Sequence, residues 1–392
     1  MKLGDRFECV VDSAAFGGEG VARVDGMVAF IPFALPGERV VARIVKIKPD
    51  YLRCELTEII EKSPDRIVPE CPYFYRCPGC AYLHANYSRE LEIKREQLRR
   101  FLVPLELENL AGDFDDSGRQ LGYRNKIVLH VRKEKGETLL GYVGRNPSEL
   151  VEVAACKLAD PELNAELAKN LDTPGFVHTL HNGMNVTFRK SADKVMMWRN
   201  SPSKNLSWLR EDTPFGAISV PPGSFSQINP DGAAKLVTLL EEYLAAAPVS
   251  GKVVDAYSGA GLFGLAAAAA GAGHIAELET DQAAVEAAKY NFKTHGVDAE
   301  FVAGDAADAL NEALVEAELL IVDPPRSGLA PAAFRAIRHS AVPRLVYISC
   351  DPATWSRDAA KLIDAGFSAK RIVPVNMFPR SAGFELFTAW ER

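Results

Sequence analysis

The C-terminal part of the chain, residues 226–392, alternates strand-like and helix-like segments, and this alternation limits the possible folds more than any other feature. The segment "GKVVDAYSG" is followed by an Ala-rich stretch, "HIAELETD", a second helical stretch, "ELLIVDPP" and "RLVYISC". Apolar strands joined by helices build a parallel sheet covered on both faces. We therefore expect an α/β domain of Rossmann-like architecture, with ligands at the carboxyl ends of its strands.

Composition indicates a globular protein of two or three domains. The chain has 392 residues, of which 47% are hydrophobic and 25% charged. Its start, "MKLGDRFECV", lacks the apolar core of a signal peptide, and no apolar run reaches the length of a membrane span. We expect a cytoplasmic protein that has no membrane partner and acts as a monomer. In that reducing compartment, seven cysteines favour metal ligation or catalysis over disulfides.

The net charge of −7 is unevenly distributed. Residues 231–322 hold 4 Lys and Arg against 15 Asp and Glu, a local charge of −11, which leaves +4 for the rest of the chain. The acidic character is thus confined to one segment, and the remainder has room for a basic face. Charge alone neither supports nor excludes an RNA partner.

Three domains are predicted. Residues 1–60 alternate apolar and polar positions in short runs separated by turns, a pattern typical of a small β-barrel. "EKSPDRIVPE" has two prolines and mixed charge, and we interpret it as a linker that opens a central mixed α/β domain over 61–225. The Rossmann-like domain then covers 226–392.

Acidic and glycine residues follow three of the C-terminal strands. The turn of "VVDAYSGAGLFGL" contains Tyr257 and Gly259, and glycine there lets a ligand approach the backbone at a helix N-terminus. Glu279 ends the next strand about 20 residues on, where a carboxylate suits the ribose hydroxyls of a nucleoside cofactor. Asp305 ends the third. The spaced glycines of a dinucleotide site are incomplete, and the set resembles the S-adenosylmethionine site of class I methyltransferases.

Four further motifs give the chain a specific resemblance. They are "DPPRSG" (323–328), "SCDPATWSRD" (349–358), "FPRSAGFE" (378–385) and "SFSQINP" (224–230). With them the chain resembles, over nearly its whole length, the RNA uracil-C5 (5-methyluridine) methyltransferase family. The resemblance implies Cys350 as nucleophile and Glu385 as base. It also implies cofactor contacts by Gln227 and Asp323, the latter alternatively bonding the uracil edge.

A nucleophilic cysteine fits the chemistry of this base, because C5 of uracil is a weak nucleophile. A thiolate that adds to C6 turns the ring into an enolate, and C5 then becomes electron-rich enough to take a methyl group from a sulfonium. A base must afterwards remove the C5 proton so that the thiol can leave. Arg326 or Arg357 is expected to stabilise the thiolate and enolate charge.

Two positions depart from the family pattern. Gly383 stands where relatives commonly have histidine, in Gly383-Phe384-Glu385, and Leu262 stands where many have asparagine. Neither change removes the proposed nucleophile or base. They put one substrate contact and one cofactor contact in doubt.

Three cysteines lie close together in "CPYFYRCPGC", namely Cys71, Cys77 and Cys80, and Cys156 is the natural fourth ligand. The spacing fits both tetrahedral zinc and an iron–sulfur cluster, since each accepts four thiolates. The family resemblance selects a [4Fe–4S] cluster. No redox reaction is indicated, so we expect a structural or RNA-docking role.

The N-terminal segment looks like a TRAM domain, an OB-like RNA-binding module. Its stretch "RIVKIK" (43–48) carries three cations, which we expect to share one face of a strand. "GYRNKIVLHV" matches a further family segment and makes Arg124 and Lys126 candidate contacts for RNA. Arg326 is expected on the same substrate side of the site.

Four functions remain open. The first is S-adenosylmethionine-dependent methylation of uridine C5 in RNA, with 23S rRNA favoured over tRNA because the front domain and the cysteines are usually absent from the tRNA-specific bacterial branch. The second is a catalytically degenerate RNA-binding protein or RNA chaperone. The third is a radical enzyme, whose cysteine spacing would differ from this one. The fourth is an amino-methyltransferase with a DPP motif, which needs no cysteine.

Overall fold

The protein is described here as a computed structural model that covers residues 1–116 and 118–392, with backbone alone at 306 and 307. Six strands open the chain, and they form one sheet in the order β1-β5-β6-β4-β3-β2. These strands are β1 (Arg6–Val10), β2 (Ser13–Ala14), β3 (Gly20–Val24), β4 (Met27–Ile31), β5 (Arg39–Ile47) and β6 (Tyr51–Glu61). Alternating apolar residues pack on one side into a core that includes Ile31, Val40 and Leu52. The predicted closure of this sheet into an OB-like barrel stays a prediction.

A bulge in β5 arranges the cations predicted on this sheet. The pairing of β5 with β6 shifts between Ile44 and Lys46, with Arg43 opposite Glu55 and Lys46 opposite Arg53. Because a bulge inserts one extra residue, Arg43 and Lys46 share a face although three positions separate them. Lys48 lies beyond the end of β5.

The middle of the chain is mixed. Its helices are α1 (Tyr87–Leu102) and α2 (Pro161–Leu171), and its strands are β7 (Asp115–Asp116), β8 (Lys126–Glu134), β9 (Glu137–Val143), β10 (Leu150–Glu152), β11 (Asn185–Lys190), β12 (Val195–Arg199), β13 (Leu209–Thr213) and β14 (Gly216–Val220). Strand β11 lies between β8 and β12, antiparallel to both, and β9 pairs with β10. Strands β13 and β14 form a separate hairpin.

The C-terminal part is the predicted α/β domain. Its helices are α3 (Pro230–Ala246), α4 (Leu262–Ala269), α5 (Gln282–Thr294), α6 (Ala306–Ala313), α7 (Pro331–His339) and α8 (Pro352–Asp364). Its strands are β15 (Lys252–Ala256), β16 (His274–Glu279), β17 (Ala299–Ala303), β18 (Ala317–Val322), β19 (Arg344–Ser349), β20 (Ser368–Asn376) and β21 (Glu385–Glu391). The sheet runs β17-β16-β15-β18-β19-β21-β20-β7, and β15 to β19 are mutually parallel.

The order of this sheet reverses at β15, which has β16 on one side and β18 on the other. Ligands of open α/β sheets bind in the crevice at such a reversal, outside the carboxyl ends of the strands. Antiparallel β21 brings its first residue to the same edge, because Leu386 pairs with Ser349 at the end of β19. The edge therefore collects the residues that follow β15, β18 and β19 together with the start of β21.

The chain divides into two compact units. The first unit comprises Met1–Arg100, Gly141–Val153 and Phe378–Gly383, and the second comprises Phe101–Leu140, Ala154–Met377 and Phe384–Arg392. The predicted three-domain division, at 60 and 225, stays a prediction. In the part of the chain that the structure describes, no helix is both long enough and apolar enough to cross a membrane.

Candidate functional site at the carboxyl edge of the sheet

The Cys350 thiol lies at the end of a buried strand because a helix starts immediately after it. Asp351 caps α8, its carboxylate accepting from the backbone N–H groups of Ala353 (3.0 Å) and Thr354 (2.9 Å). Pro352 occupies the first helical position, which needs no N–H donor. The chain therefore turns at Cys350, whose side chain is only partly buried.

Glu385, Asp323 and Arg326 act electrostatically on this thiol. Partial burial, together with the charges of Glu385 and Asp323, raises the pKa of Cys350 to about 11, and Arg326 opposes these effects. Glu385 is the first residue of β21. Because Leu386 pairs with Ser349, Glu385 is the neighbour of Cys350 across the sheet. The fold thus brings these four residues of the predicted site together.

The two carboxyl groups of this cluster favour their neutral forms. Burial raises the pKa of Glu385 well above its usual range, the charge of Asp323 adds to the effect, and Arg326 opposes it. The pKa of Asp323 is raised to about 7 by burial, against the lowering effect of a hydrogen bond from Gln227. Two close carboxyl groups out of water do not both ionise readily. Arg326 is therefore the cation that favours charged thiolate and carboxylate forms here.

Arg357 takes a different role from Arg326. Its guanidinium donates to the carbonyl of Ser327 (2.8 Å) and pairs with Asp358. Asp358 is fully buried and accepts from the Leu329 N–H (2.8 Å) and the Tyr347 hydroxyl (3.1 Å). The Arg357–Asp358 pair thus fixes the 323–329 loop, and of the two arginines predicted to stabilise the thiolate only Arg326 acts on it.

A cavity of about 240 Å³ lies beside this cluster. Four of the six predicted cofactor residues line it: Gln227, Tyr257, Gly259 and Asp323. Cys350, Arg326 and Glu385 are outside its lining, so Asp323 is the residue that belongs to both the cavity wall and the surroundings of the thiol. Leu262, the departure in the Gly-rich turn, also lines the cavity and makes that part of the wall apolar.

The two glycines of the turn serve different purposes. Both have left-handed backbones, with φ of 58° at Gly259 and 88° at Gly261. A Cβ at Gly261 would lie 2.7 Å from the Phe292 ring, whereas a Cβ at Gly259 would meet nothing within 4 Å. Gly261 is therefore required for packing, and Gly259 leaves its backbone open to a ligand. This opening fits a cofactor that is held closely against the turn.

Glu279 and Asp305, the other two predicted cofactor residues, stand next to the cavity lining. The Glu279 carboxylate accepts from the Gly259 N–H (2.9 Å), and from the N–H groups of Thr280 (2.7 Å) and Asp281 (2.8 Å). Asp305 follows β17, and its charge acts on Tyr257. Strand ends thus bring five of the six residues to one edge, and Gln227 joins them from the loop before α3.

Two residues that the sequence analysis missed hold Gln227 in place. The Asn125 amide donates to the Gln227 carbonyl (3.0 Å), and the Gln227 amide in turn donates to the Asp323 carboxylate (3.1 Å). Arg189, 1% exposed, donates to the carbonyls of Pro222 (3.2 Å) and Ser224 (2.9 Å). An arginine inside the apolar run "MNVTFRK" was the available signal, since a buried cation must find partners.

The RNA candidates Arg124 and Lys126 frame Asn125. Arg124 donates its backbone N–H to Leu158 (2.8 Å), and its guanidinium lies 5.9 Å from the Tyr123 ring. Lys126 opposes Arg189 in the β8–β11 pairing, and burial together with that charge lowers its pKa. The structure therefore places both beside the residues that hold Gln227, and their contact with RNA stays a prediction.

A second pair of carboxyl groups lies beneath the Gly-rich turn. Asp255 and Glu277 are paired in register on β15 and β16, and both are buried. Asp255 accepts from the Gly264 N–H (2.8 Å), and a Cβ at Gly264 would lie 1.7 Å from a Glu277 oxygen. Burial raises the pKa of both groups well above their usual values.

The predicted four-cysteine metal site is not supported by this structure. Cys71, Cys77 and Cys80 belong to the first unit and Cys156 to the second. Among residues 1–116 and 118–392, no three Cys, His, Asp or Glu side chains are grouped so that they could hold a metal ion. As placed, these thiols do not form a ligand set.

Comparisons with known proteins agree with this architecture. Residues 2–57 match the TRAM domain, and residues 216–345 match the methyltransferase small domain. The chain carries both domains. A protein of Halalkalibacterium halodurans described as an uncharacterized RNA methyltransferase is 28% identical over 97% of this chain and 96% of its own length. One of Caldanaerobacter subterraneus with the same description is 29% identical over 100% and 99%.

A solved structure shares the fold. It is the Pyrococcus abyssi tRNA (uracil-54, C5)-methyltransferase in complex with S-adenosyl-L-homocysteine, with a TM-score of 0.78 and 23% identity over 98% of this chain and 99% of that one. The likeness extends over both units of the chain. At this identity it concerns the fold alone.

Proposed function

We propose that this protein transfers a methyl group from S-adenosylmethionine to C5 of a uridine in RNA, through a transient bond between Cys350 and C6 of the base. The observation that carries the proposal is that a partly exposed thiol, a buried carboxyl group and one arginine lie together beside a cavity. In the wall of this cavity, Gly259 leaves its backbone accessible to a ligand. Full-length similarity to proteins described as RNA methyltransferases supports the proposal.

The chain's own residues would hold the cofactor at the sheet edge. Gln227, Tyr257, Gly259 and Asp323 line the cavity, and Glu279 and Asp305 stand beside it. S-adenosylmethionine supplies, when bound, a methyl group on a positively charged sulfur. Glu279 is a carboxyl group whose charge complements a cation.

In the proposed reaction, the Cys350 thiol first loses its proton, and its sulfur forms a bond to C6. The C5–C6 π electrons move to the O4 carbonyl and give an enolate, after which C5 takes the methyl carbon as the methyl–sulfonium bond breaks. Ionised Glu385 then removes the C5 proton, the C5=C6 double bond re-forms, and the carbon–sulfur bond breaks to regenerate the thiolate. One proton is released overall.

Arg326 acts in the direction that this sequence requires, because it lowers the pKa values of both Cys350 and Glu385. A thiol with a pKa of about 11 is almost entirely protonated at pH 7, and a neutral Glu385 is no base. The positive charge of Arg326 favours both ionised forms. Enolate charge on the substrate would be stabilised by the same guanidinium.

The test uses RNA with tritium at C5 of uridine and S-adenosylmethionine labelled in the methyl group. Wild-type protein is expected to incorporate methyl and release tritium in equal amounts, and Cys350→Ala is expected to do neither. Cys54→Ala, which removes a buried thiol of the N-terminal sheet, is the matched control. Methylated uridine formed by Cys350→Ala at the wild-type rate would refute the mechanism.

The substrate is proposed to be 23S rRNA in preference to tRNA, in the cytoplasm, with the protein acting as a monomer. The support is the sequence argument from the N-terminal domain and the cysteine motif. Parallel assays with both transcripts test the preference, and faster methylation of tRNA would reverse it.

The [4Fe–4S] cluster implied by the family resemblance stays a prediction. Iron and acid-labile sulfide analysis of protein purified without oxygen tests it. Cys77→Ser should lose the iron if the cluster forms, and an iron content at background in the wild type would exclude it.

A further inference from the structure

An aromatic group stands at one turn of the first unit, apart from the methyl-transfer residues in sequence. Phe33 lies with its ring centroid 5.4 Å from that of Phe74 and 5.0 Å from that of Tyr75, both edge-on. The Arg145 guanidinium lies 4.7 Å from the Phe33 centroid. We call Phe33, Tyr75 and Arg145, with Phe74 behind them, the aromatic platform.

The backbone at Phe33 is held in an unfavourable conformation. Its φ of 66° is left-handed, a region that residues other than glycine seldom adopt. Arg66 keeps the turn in place by donating to the Phe33 carbonyl (2.6 Å) and to the buried carboxylate of Glu38 (2.7 Å). Strained residues that the surroundings fix in this way gather at binding and catalytic sites.

The platform packs against buried residues on one side and is exposed on the other. Phe74 is 1% exposed and packs on His84, which is fully buried and has no hydrogen-bond partner for either ring nitrogen among the described residues. Tyr75 is 54% exposed. Arg145 donates to the Cys80 carbonyl (2.8 Å), which fixes its planar group over the Phe33 ring.

We propose that the aromatic platform is a stacking site for one unpaired base of the RNA substrate, distinct from the place where the target uracil reacts. Exposed aromatic rings bind bases by stacking, and a fixed guanidinium adds a cation–π contact and attraction to phosphate. The proposal rests on the proposed function.

An unpaired base is the occupant that the chemistry favours. A target uracil has to leave its stack before a thiol reaches C6, so the nucleotides around it are single-stranded. In a duplex, the faces of the bases are covered by their neighbours. A flat ring next to a flat cation therefore matches single-stranded RNA, whereas phosphate contacts alone would need no aromatic rings.

The test compares binding of a fluorescent twelve-residue oligouridine with binding of a blunt RNA duplex of equal length, by anisotropy with full-length protein. Tyr75→Ala and Phe33→Gly should weaken oligouridine binding between about five- and a hundredfold. Phe33→Gly is the decisive variant, because glycine accepts the left-handed backbone and the fold is retained. Duplex binding should stay within twofold.

Three control variants separate stacking from charge and from general damage. Arg76→Ala removes the neighbouring cation, and Tyr290→Ala removes an equally exposed tyrosine of α5, 52% exposed. Both should bind oligouridine within twofold of the wild type. Arg145→Lys keeps the charge without the planar group and should lose affinity.

Unchanged oligouridine affinity in Tyr75→Ala and Phe33→Gly would overturn the proposal, and would leave a protein contact as the use of this surface. Full affinity in Arg145→Lys, or equal loss of duplex binding, would overturn it in favour of plain charge attraction. Methyl transfer by the wild type, lost in Cys350→Ala, is measured in parallel. The proposed function then stands or fails independently of the platform.

Discussion

Two pairs of carboxyl groups lie towards the same edge of the large sheet, three of them buried and Asp323 partly buried, and the pairs differ in what surrounds them. Asp255 and Glu277 sit beneath the Gly-rich turn, where Asp255 accepts one backbone N–H and Glu277 packs on Gly264. Asp323 and Glu385 sit beside a thiol, an arginine and an open cavity. Burial raises the pKa of all four groups.

A raised pKa therefore does not by itself identify a catalytic acid or base. Desolvation produces the shift wherever a carboxyl group is enclosed. Only the second pair adds a cation that favours the charged form and a reactive group on which that charge acts. We therefore propose a chemical role for Asp323 and Glu385 and a packing role for Asp255 and Glu277.

The largest effect expected from this comparison is that of Glu385→Gln. Removal of the base that takes the C5 proton should lower turnover by about 10²- to 10⁴-fold. Because addition and methylation precede that step, the protein should accumulate covalently bound to methylated RNA, visible on a denaturing gel. Glu391→Gln, at the other end of β21, should behave as the wild type, and a variant that turns over freely without adduct would remove Glu385 from the mechanism.

The next largest effect on turnover is expected for Arg326→Met. Arg326 lowers the pKa of Cys350, so its loss raises that pKa, and each unit of increase reduces the thiolate fraction at fixed pH tenfold. We expect the rate at pH 7.5 to fall about ten- to a hundredfold and to recover in part at pH 9. Arg335→Met, on α7, is the control, and an unchanged pH profile in Arg326→Met would contradict the role.

Asp358→Asn tests the loop that carries Arg326. Loss of the carboxylate weakens its bonds to Leu329 and Tyr347 and should cost about 1–3 kcal/mol of unfolding free energy. The rate should fall about tenfold with an upward shift of the pH profile, since a displaced Arg326 acts less on the thiol. Lys361→Met removes a cation 3.7 Å from Asp358 and should change neither. A stability loss without the pH shift would make Asp358 structural only.

The smallest effect on activity is expected for Glu277→Gln. The pKa of Glu277 is raised on folding, so its contribution to stability is fully present below its ordinary pKa of 4.5 and is lost as the pH rises. An uncharged amide removes that loss. The melting temperature of the variant, relative to that of the wild type, should therefore increase between pH 6 and pH 9. Turnover should stay within about threefold of the wild-type rate. A large loss of turnover at unchanged stability would contradict the packing role of Glu277.

Much of the candidate site was predictable because its residues follow consecutive parallel strands. Such strands end at one edge, so motifs after β15, β16, β18 and β19 had to meet there. The position of Cys350 was also local information, since Asp351-Pro352 starts a helix wherever it follows a strand. Helical spacing also indicates that Asp358 lies on the buried face of α8, together with Trp355 and Leu362.

Other parts depended on contacts between residues far apart in sequence. Asn125 bonds the backbone of Gln227, 102 positions away, and local patterns carry no record of such a contact. The choice between Arg326 and Arg357 was likewise open, because both belong to motifs that begin at the ends of neighbouring strands. The iron–sulfur prediction rested on spacing and resemblance, and the described residues do not support it.

Short-range sequence patterns specify which elements form and which of their ends carry chemical groups, because hydrophobic periodicity, helix caps and turns act over a few neighbouring residues. The folded arrangement specifies which carboxyl groups are paired, which arginine acts on the thiol and which glycine is open. Those outcomes depend on strand register and on enclosure from water, and both are properties of the packed chain as a whole.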